Sequence, residues 1–361
     1  MEELERDGLL RTLEPPTGLD LCSNDYLGLA RHARVRRRLA QAVARLGVGS
    51  TGSRLLRGHR AAFGNVEERF AALKGTEAAL YFGSGWAANL GVLSAFPQEG
   101  DLILSDELNH ASLIDGMRLS KTRRVVYPHC DTAALRRILE TEPCEGIRFV
   151  VTETLFSMDG DLAPLREIAQ LQGQHDFELI VDEAHAVGVY GNRGSGLVEE
   201  LGCEESVLMS INSAGKALGV SGAFACGPKW AIQQLIQSAR PFVFSTAPPP
   251  ALAEAISEAL DILAEEPARR RRVRAHGRRF RDLAGLGPGD SPIVPVVLGT
   301  NRRALESAAQ LRAEGYDVRA IRPPTVPKGT ARLRVSLNAD LQASEVEGAA
   351  LCVRDQLEAT E

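Results

Sequence analysis

The sequence predicts an α/β protein: a large domain with a mainly parallel sheet covered by helices, followed by a smaller α+β domain. Three observations carry that expectation. Short runs that are apolar throughout alternate with stretches of helical period, the pattern of strands buried on both faces. A turn-rich "STAPPP" at 245–250 ends this alternation, and a different order of elements follows it. The 361 residues suffice for a large domain and a smaller one, since domains usually run to roughly 100–200 residues.

Each element supports the reading in turn. Residues 1–30 form an N-terminal segment expected to pack with the small domain, and 31–250 form the large domain. Within it, "DLILSD" (101–106), "RRVVYP" (123–128), "IRFVVTET" (147–154), "ELIVDEA" (178–184), "SVLMSIN" (206–212) and "GAFACG" (222–227) have the composition of buried strands. Between them lie segments such as "LAPLREIAQLQGQH" (162–175), whose apolar residues recur at helical spacing. Residues 251–361 give a long helical stretch, strand "SPIVPVVLG" (291–299), helix "NRRALESAAQLRAEG" (301–315), strands "YDVRAI" and "ARLRVSL", and a last helix from about 342. The arginine run "ARRRRVRAHGRRFR" (268–281) reads as the solvated face of a helix.

Composition narrows the partner. A net charge of −5 gives no general attraction to nucleic acid or to an anionic membrane. No apolar run reaches the roughly 18 residues of a membrane span, and the acidic "MEELERDGLLRTLEPP" lacks the core of a signal peptide. A cytoplasmic location and a small-molecule partner are expected. The six cysteines show no CxxC spacing, so they read as reduced thiols and no metal site is expected.

The chemistry centres on "INSAGKALGVSGAFACG" (211–227), where Lys216 stands alone among small and apolar residues. Only five of the 42 basic residues are lysines, and no other charge lies between Glu205 and Lys229. In "FELIVDEAHAVGVYG" (177–191) an apolar run ends in Asp182, with His185 three positions on. Ligands of open α/β sheets sit at such strand ends. DEAH also occurs in nucleotide-dependent helicases, but their phosphate loop needs G-x-x-x-x-G-K-[ST]. Here Ser210 occupies the first glycine position and Ala217 follows the lysine, so that reading fails. A strand-end aspartate followed 34 residues later by an isolated lysine suits pyridoxal phosphate: the lysine amine attaches the cofactor and the aspartate keeps its pyridine nitrogen protonated. Desolvation among apolar neighbours pushes the pKa of such a lysine below its usual value of about 10.4 and favours the neutral nucleophile. Ser213 can add a hydroxyl to the phosphate. "YFGSGWAANLGVLSAF" (81–96) supplies a glycine-rich turn opening a helix, whose free N–H groups suit the phosphate. His110 in "SDELNHASLIDGMRLS" (105–120) could stack on the ring and act on substrate protons, and Ser157 could donate to the phenolate oxygen.

Together, "SNDYLGLA" (23–30), "GSTGSRLLRGH" (49–59), "GSGWAANLG", "LNHASLIDG", "TETLFSMDGDLAPL", "VDEAHAVGVYG", "AGKALGVSG", "PFVFSTAPPP" and "AIRPPTVPKGTARLRVSL" (320–337) span nearly the whole chain. In this order they resemble the α-oxoamine synthases, pyridoxal-phosphate enzymes that condense an amino acid with an acyl thioester and release carbon dioxide, and the resemblance implies an aspartate-aminotransferase-like fold whose large-domain sheet is of the seven-stranded type. "GSRLLRGH" and "IRPPTVPKGTARLR" resemble most the biotin-pathway branch, which joins L-alanine to a pimeloyl thioester on coenzyme A or acyl carrier protein. The resemblance implies that Lys216 attaches the cofactor, Asp182 meets the pyridine nitrogen and His110 stacks on the ring. It implies that His185 and Ser157 contact the phenolate oxygen, and that Ser84, Gly85, Trp86 and Ser213 surround the phosphate. The family's active site lies at a homodimer interface, so Thr246 would reach the phosphate from the neighbouring subunit. Asn24, Arg322 and Thr325 would meet the amino acid, and Arg11 the carboxylate of the acyl chain. Three features depart from the usual pattern: Trp86 replaces phenylalanine or tyrosine, Ser213 replaces threonine, and the stretch before "SNDYLG" is short. A sibling synthase using glycine or serine, and a non-catalytic homologue, stay open as alternatives.

Overall fold

The computed structural model describes residues 1–358 and divides into two compact units. The larger comprises Gly28–Phe156 and Leu162–Pro267; the smaller comprises Met1–Leu27, Ser157–Asp161 and Ala268–Glu361. The division falls after Pro267, whereas the sequence suggested 250. Helix Pro250–Glu265 accounts for the difference: its buried Ala253, Ile256, Ala259 and Leu263 face helices Ala33–Leu46 and Ala61–Lys74 of the larger unit. Arg34 Nε also donates to Glu258 Oε1 across 2.7 Å.

The larger unit is built on seven strands: β1 (Ala78–Phe82), β2 (Leu102–Asp106), β3 (Arg123–Tyr127), β4 (Arg148–Glu153), β5 (Glu178–Asp182), β6 (Val207–Ser213) and β7 (Ala223–Gly227). Their spatial order is β1-β7-β6-β5-β4-β2-β3, and β7 alone runs against its neighbours. Strand β1 was not among the expected strands. Its "AALYF" opens on two alanines and holds strand-favouring residues only in Tyr81 and Phe82, a short signal that pairing with β7 completes. One face of the sheet presents Val151, Ile180, Ile211 and Ala225 to a cluster with Val92, Leu93, Leu113, Leu235 and Phe242. Burial of each large aliphatic side chain contributes about 1.5–3 kcal/mol, which fixes the register and therefore which residues end each strand. Asp106, Glu153, Asp182 and Ser213 stand at the carboxyl ends.

The smaller unit holds a three-stranded antiparallel sheet of β8 (Ile293–Gly299), β9 (Ala320–Ile321) and β10 (Ala331–Ser336), in the order β9-β10-β8. Helices Ala268–Ala284, Asn301–Ala313 and Ala343–Glu358 belong with it, around a core that includes Phe280, Val294, Leu311, Val335 and Val346. The arginine run corrects an expectation. Its helix is not simply a solvated face, because Arg270 and Arg281 are buried. Arg281 donates to Ser291 O (2.9 Å) and Ile293 O (2.7 Å), while Arg274 and Arg279 pair with Asp290 and Glu347. Guanidinium groups here satisfy strand-end carbonyls that apolar residues would leave bare.

All six cysteines are free thiols. Among the described residues no helix is long and apolar enough to cross a membrane.

Candidate active site

Asp182 and Lys216 are brought to the same end of the sheet by adjacent strands, β5 and β6. Asp182 ends β5 with 6% of its surface exposed. Its Oδ1 accepts from Ala184 N (2.8 Å) and its Oδ2 from Asn89 Nδ2 (2.7 Å), so both carboxylate oxygens are fixed.

Lys216 is carried by a tight loop after β6. Ala214 N donates to Gly222 O, Gly219 N to Lys216 O and Val220 N to Ala214 O, at 2.8–2.9 Å. Ala214, Ala217 and Leu218 are fully buried around it. Gly219 has φ +66°, and a Cβ there would lie 2.2 Å from Ala30 N, so this turn requires glycine. The loop aims Lys216 Nζ at His185 Nε2, 2.8 Å away. An amine at that distance can pass a proton to the imidazole and become a nucleophile.

His110 caps helix Ala111–Leu119, its Nδ1 accepting from Ser112 N (3.2 Å) and lying 2.7 Å from Ser112 Oγ. A nitrogen that accepts a backbone N–H carries no proton, so the neutral ring bears its proton on Nε2. Burial pushes the His110 pKa down; the charge of Asp182 opposes this and that of Lys216 adds to it. The buried Asn89 Nδ2 also donates to Ser112 Oγ (2.8 Å), so a continuous chain runs from His110 through Ser112 and Asn89 to Asp182. Trp86 meets the His110 ring edge-on, with centroids 6.1 Å apart.

Ser84 caps helix Gly85–Ala95, its Oγ accepting from Ala87 N (3.1 Å). The amides of Gly85 and Trp86 stand in the first turn, where helices have free donors. A Cβ at Gly85 would meet nothing within 4 Å, which leaves this backbone open to an anion. Ser213 Oγ accepts from Gly215 N (3.1 Å). Thr246 is exposed on a strap held by Ala247 N to Gly52 O (2.9 Å) and Ser50 Oγ to Pro248 O (2.6 Å). The donor set fits pyridoxal phosphate: an amine for its aldehyde, a buried carboxylate for its ring nitrogen, an imidazole for its face and a helix N-terminus with hydroxyls for its phosphate.

The remaining expected residues belong to the smaller unit. Arg322 donates to Gly8 O and Leu10 O, while its buried Nε meets no acceptor. Burial lowers its pKa, and the neighbouring Arg11 lowers it further. Arg11 Nη2 donates to Thr325 Oγ1 (3.1 Å), and Asn24 Oδ1 accepts from Tyr26 OH (3.1 Å). Ser157 is buried, its carbonyl accepting from Arg334 Nε (2.5 Å).

Sequence reasoning missed a buried ion pair made by the residue that follows Asp182. Lys74 donates to Glu183 Oε2 and to Ser195 O (2.6 Å), and Glu183 Oε1 accepts from Val198 N (3.0 Å). The pair braces the 183–198 loop that carries His185. The rarity of lysine, which singled out Lys216, applies equally to Lys74. Asn89 and Ser112 gave no signal, because polar residues inside helices are common.

A sequence profile of the class I and II aminotransferases matches residues 16–351. The chain belongs to that family. The α-oxoamine synthase resemblance is borne out by a curated relative from Anaeromyxobacter dehalogenans strain 2CP-1 named 8-amino-7-oxononanoate synthase. It is 49% identical, across 96% of this chain and 92% of its own length. A solved serine palmitoyltransferase from S. paucimobilis, bound to pyridoxal phosphate joined to myriocin, superposes with a TM-score of 0.92. It is 26% identical, across 99% of this chain and 96% of that one. The 8-amino-7-oxononanoate synthase of Francisella tularensis gives a TM-score of 0.81 at 27% identity, across 95% and 98% of the two chains.

Proposed function

We propose that the chain condenses L-alanine with a pimeloyl thioester, on coenzyme A or acyl carrier protein. The products are 8-amino-7-oxononanoate, carbon dioxide and the free thiol carrier, a step of biotin biosynthesis. The observation that carries this is Lys216 Nζ 2.8 Å from His185 Nε2, beside the strand that ends in buried Asp182, in a chain 49% identical to a synthase of that activity. Six free cysteines suit the reducing cytoplasm.

Pyridoxal phosphate is the cofactor, and when bound it supplies the electron sink for a carbanion at the amino acid's α-carbon. Lys216 would hold it, and its amine at Nζ would serve as the base for the α-proton of the amino acid. Asp182, fixed by Ala184 N and Asn89 Nδ2, keeps the pyridine nitrogen protonated. His110 would lie against the ring with Nε2–H as a donor, and His185 and Ser157 would serve the phenolate oxygen. Ser84, Gly85, Trp86 and Ser213 hold the phosphate. In a homodimer, the exposed Thr246 adds its hydroxyl to the partner's site. Arg322 binds the alanine carboxylate, which would give its buried Nε the acceptor it lacks. Asn24 and Thr325 contact the amino acid, and Arg11 takes the distal carboxylate of the pimeloyl chain.

Mass-spectrometric product assays with L-alanine, glycine and L-serine, each paired with pimeloyl-CoA and acetyl-CoA, test the assignment. Formation of 8-amino-7-oxononanoate from alanine and pimeloyl-CoA supports it. Turnover with glycine and acetyl-CoA alone would reassign the chain to glycine C-acetyltransferase chemistry, and no product from any pair would refute a condensing enzyme.

A further inference from the structure

At the carboxyl edge of β2 and β3, Asp106, His129 and Cys130 converge with their ligand atoms all within 4.8 Å of one another. Asp106 ends β2 and is almost fully buried. Its Oδ1 lies 2.8 Å from His129 Nδ1 and accepts from Leu108 N (2.9 Å), and its Oδ2 accepts from Cys130 N (2.9 Å). Cys130 Sγ lies 3.8 Å from His129 Nδ1 and 3.6 Å from Nε2. The imidazole is held edge-on against Phe156, with centroids 4.3 Å apart. Cys130 has φ +55°, a left-handed conformation that costs an ordinary residue about 1–2 kcal/mol.

We propose that these three side chains bind one zinc-class divalent cation. A tetrahedral zinc ion takes nitrogen, oxygen and sulfur at about 2.0–2.3 Å, which sets its ligands roughly 3.3–3.7 Å apart. The spacings of 2.8 and 3.8 Å to Nδ1 bracket that range; Sγ now lies 3.6 Å from Nε2, over the ring, and donates toward Leu162 O (3.8 Å), so the thiol must turn toward Nδ1 by roughly an ångström or more to close the site. A thiolate, an imidazole and a carboxylate form a set that zinc favours over calcium or magnesium. Binding forms bonds from the cation to Sγ, Nδ1 and one Asp106 oxygen. It releases the thiol proton to solvent, the ring proton passes from Nδ1 to Nε2 so that the neutral imidazole binds through Nδ1, and a fourth position is left for water. A carboxylate has about four lone-pair sites, so Asp106 keeps its bonds to Leu108 N and Cys130 N. The ion would therefore fasten the turn that leads from β2 to His110, while taking no ligand from the cofactor cluster. The sequence hid this set because Asp106 and the His129–Cys130 pair come from different strand ends.

Holoenzyme freed of adventitious metal is titrated with Co2+, read by the visible d–d bands and the thiolate-to-cobalt charge-transfer band, and with Zn2+ by equilibrium dialysis. One ion per chain with a cobalt–thiolate spectrum is expected. Cys130→Asn, which keeps a residue tolerant of the left-handed turn, and His129→Gln should each abolish the thiolate spectrum or weaken binding at least about tenfold. Cys144→Ala should leave the spectrum unchanged. Circular dichroism establishes that each variant is folded, and Cys130→Asn alone suffices should His129→Gln unfold. A wild-type protein without a cobalt–thiolate band, or one whose band survives Cys130→Asn, overturns the proposal. So does binding that vanishes only on loss of His110 or His185.

Discussion

Lys74→Met removes the cation that faces Glu183, and the structure sets the size of the effect. The Lys74 and Glu183 side chains are 3% and 0% exposed. The substitution leaves a carboxylate in the interior with the Val198 amide still donating to it. Breaking a buried ion pair on one side costs about 3–5 kcal/mol. Ser195 O loses its donor as well, so the 183–198 loop loosens and His185 with it. The double variant Lys74→Met/Glu183→Gln removes the stranded charge, and glutamine keeps an acceptor for Val198 N; its cost should fall to about 1–2 kcal/mol. The coupling between the two sites is then at least about 1–2 kcal/mol. Urea unfolding followed by far-UV circular dichroism reads these differences; for the single variant the midpoint should drop by about 1 M or more. A loss below about 1 kcal/mol for Lys74→Met, or a double variant no more stable than the single, would refute the account of a charge pair bracing this loop.

Other substitutions probe the remaining links. Lys216→Ala should abolish condensation while the far-UV spectrum stays native, and substantial turnover without added amine would count against the role of that lysine. Asp182→Asn should lower kcat by about 100–1,000-fold, the range for removing one preorganised electrostatic contact, with a smaller effect on thermal unfolding. Gly219→Ala places a Cβ against the Ala30 amide at a positive φ and should weaken retention of pyridoxal phosphate, measured by dialysis of the holoenzyme. Burial lowers the pKa of His110 and His276 below the ordinary 6.5. Between each folded pKa and 6.5 the unfolded chain binds more protons, so stability is full above that window and falls as pH drops through it, by up to about 1.4 kcal/mol per pH unit per histidine. His276→Gln should flatten the slope of the urea midpoint against pH between 5 and 7, and an unchanged slope would contradict the buried neutral imidazole.

Much of this architecture was legible because apolar runs and strand-end carboxylates are local signals. Asp182 could be placed from the run that precedes it, and Lys216 from its isolation among small residues. Ser84 and His110 sit at helix starts as their neighbours suggested. Less local features escaped. Strand β1 depends on β7, nearly 150 residues away, and its alanines carry no strand preference. The chain from His110 to Asp182 joins three segments through Asn89 and Ser112, a contact visible only after the helices pack. The buried Arg270 and Arg281 escaped for the opposite reason: a dense charge run suggests solvent, yet a guanidinium can satisfy backbone carbonyls inside.

The central claim is that Lys216 alone attaches the cofactor, and borohydride reduction of the holoenzyme followed by peptide mapping tests it most directly. The account predicts a pyridoxyl group on the peptide that contains Lys216, absent in Lys216→Ala. A modification found instead on Lys74, Lys121, Lys229 or Lys328, or on no lysine at all, would contradict it.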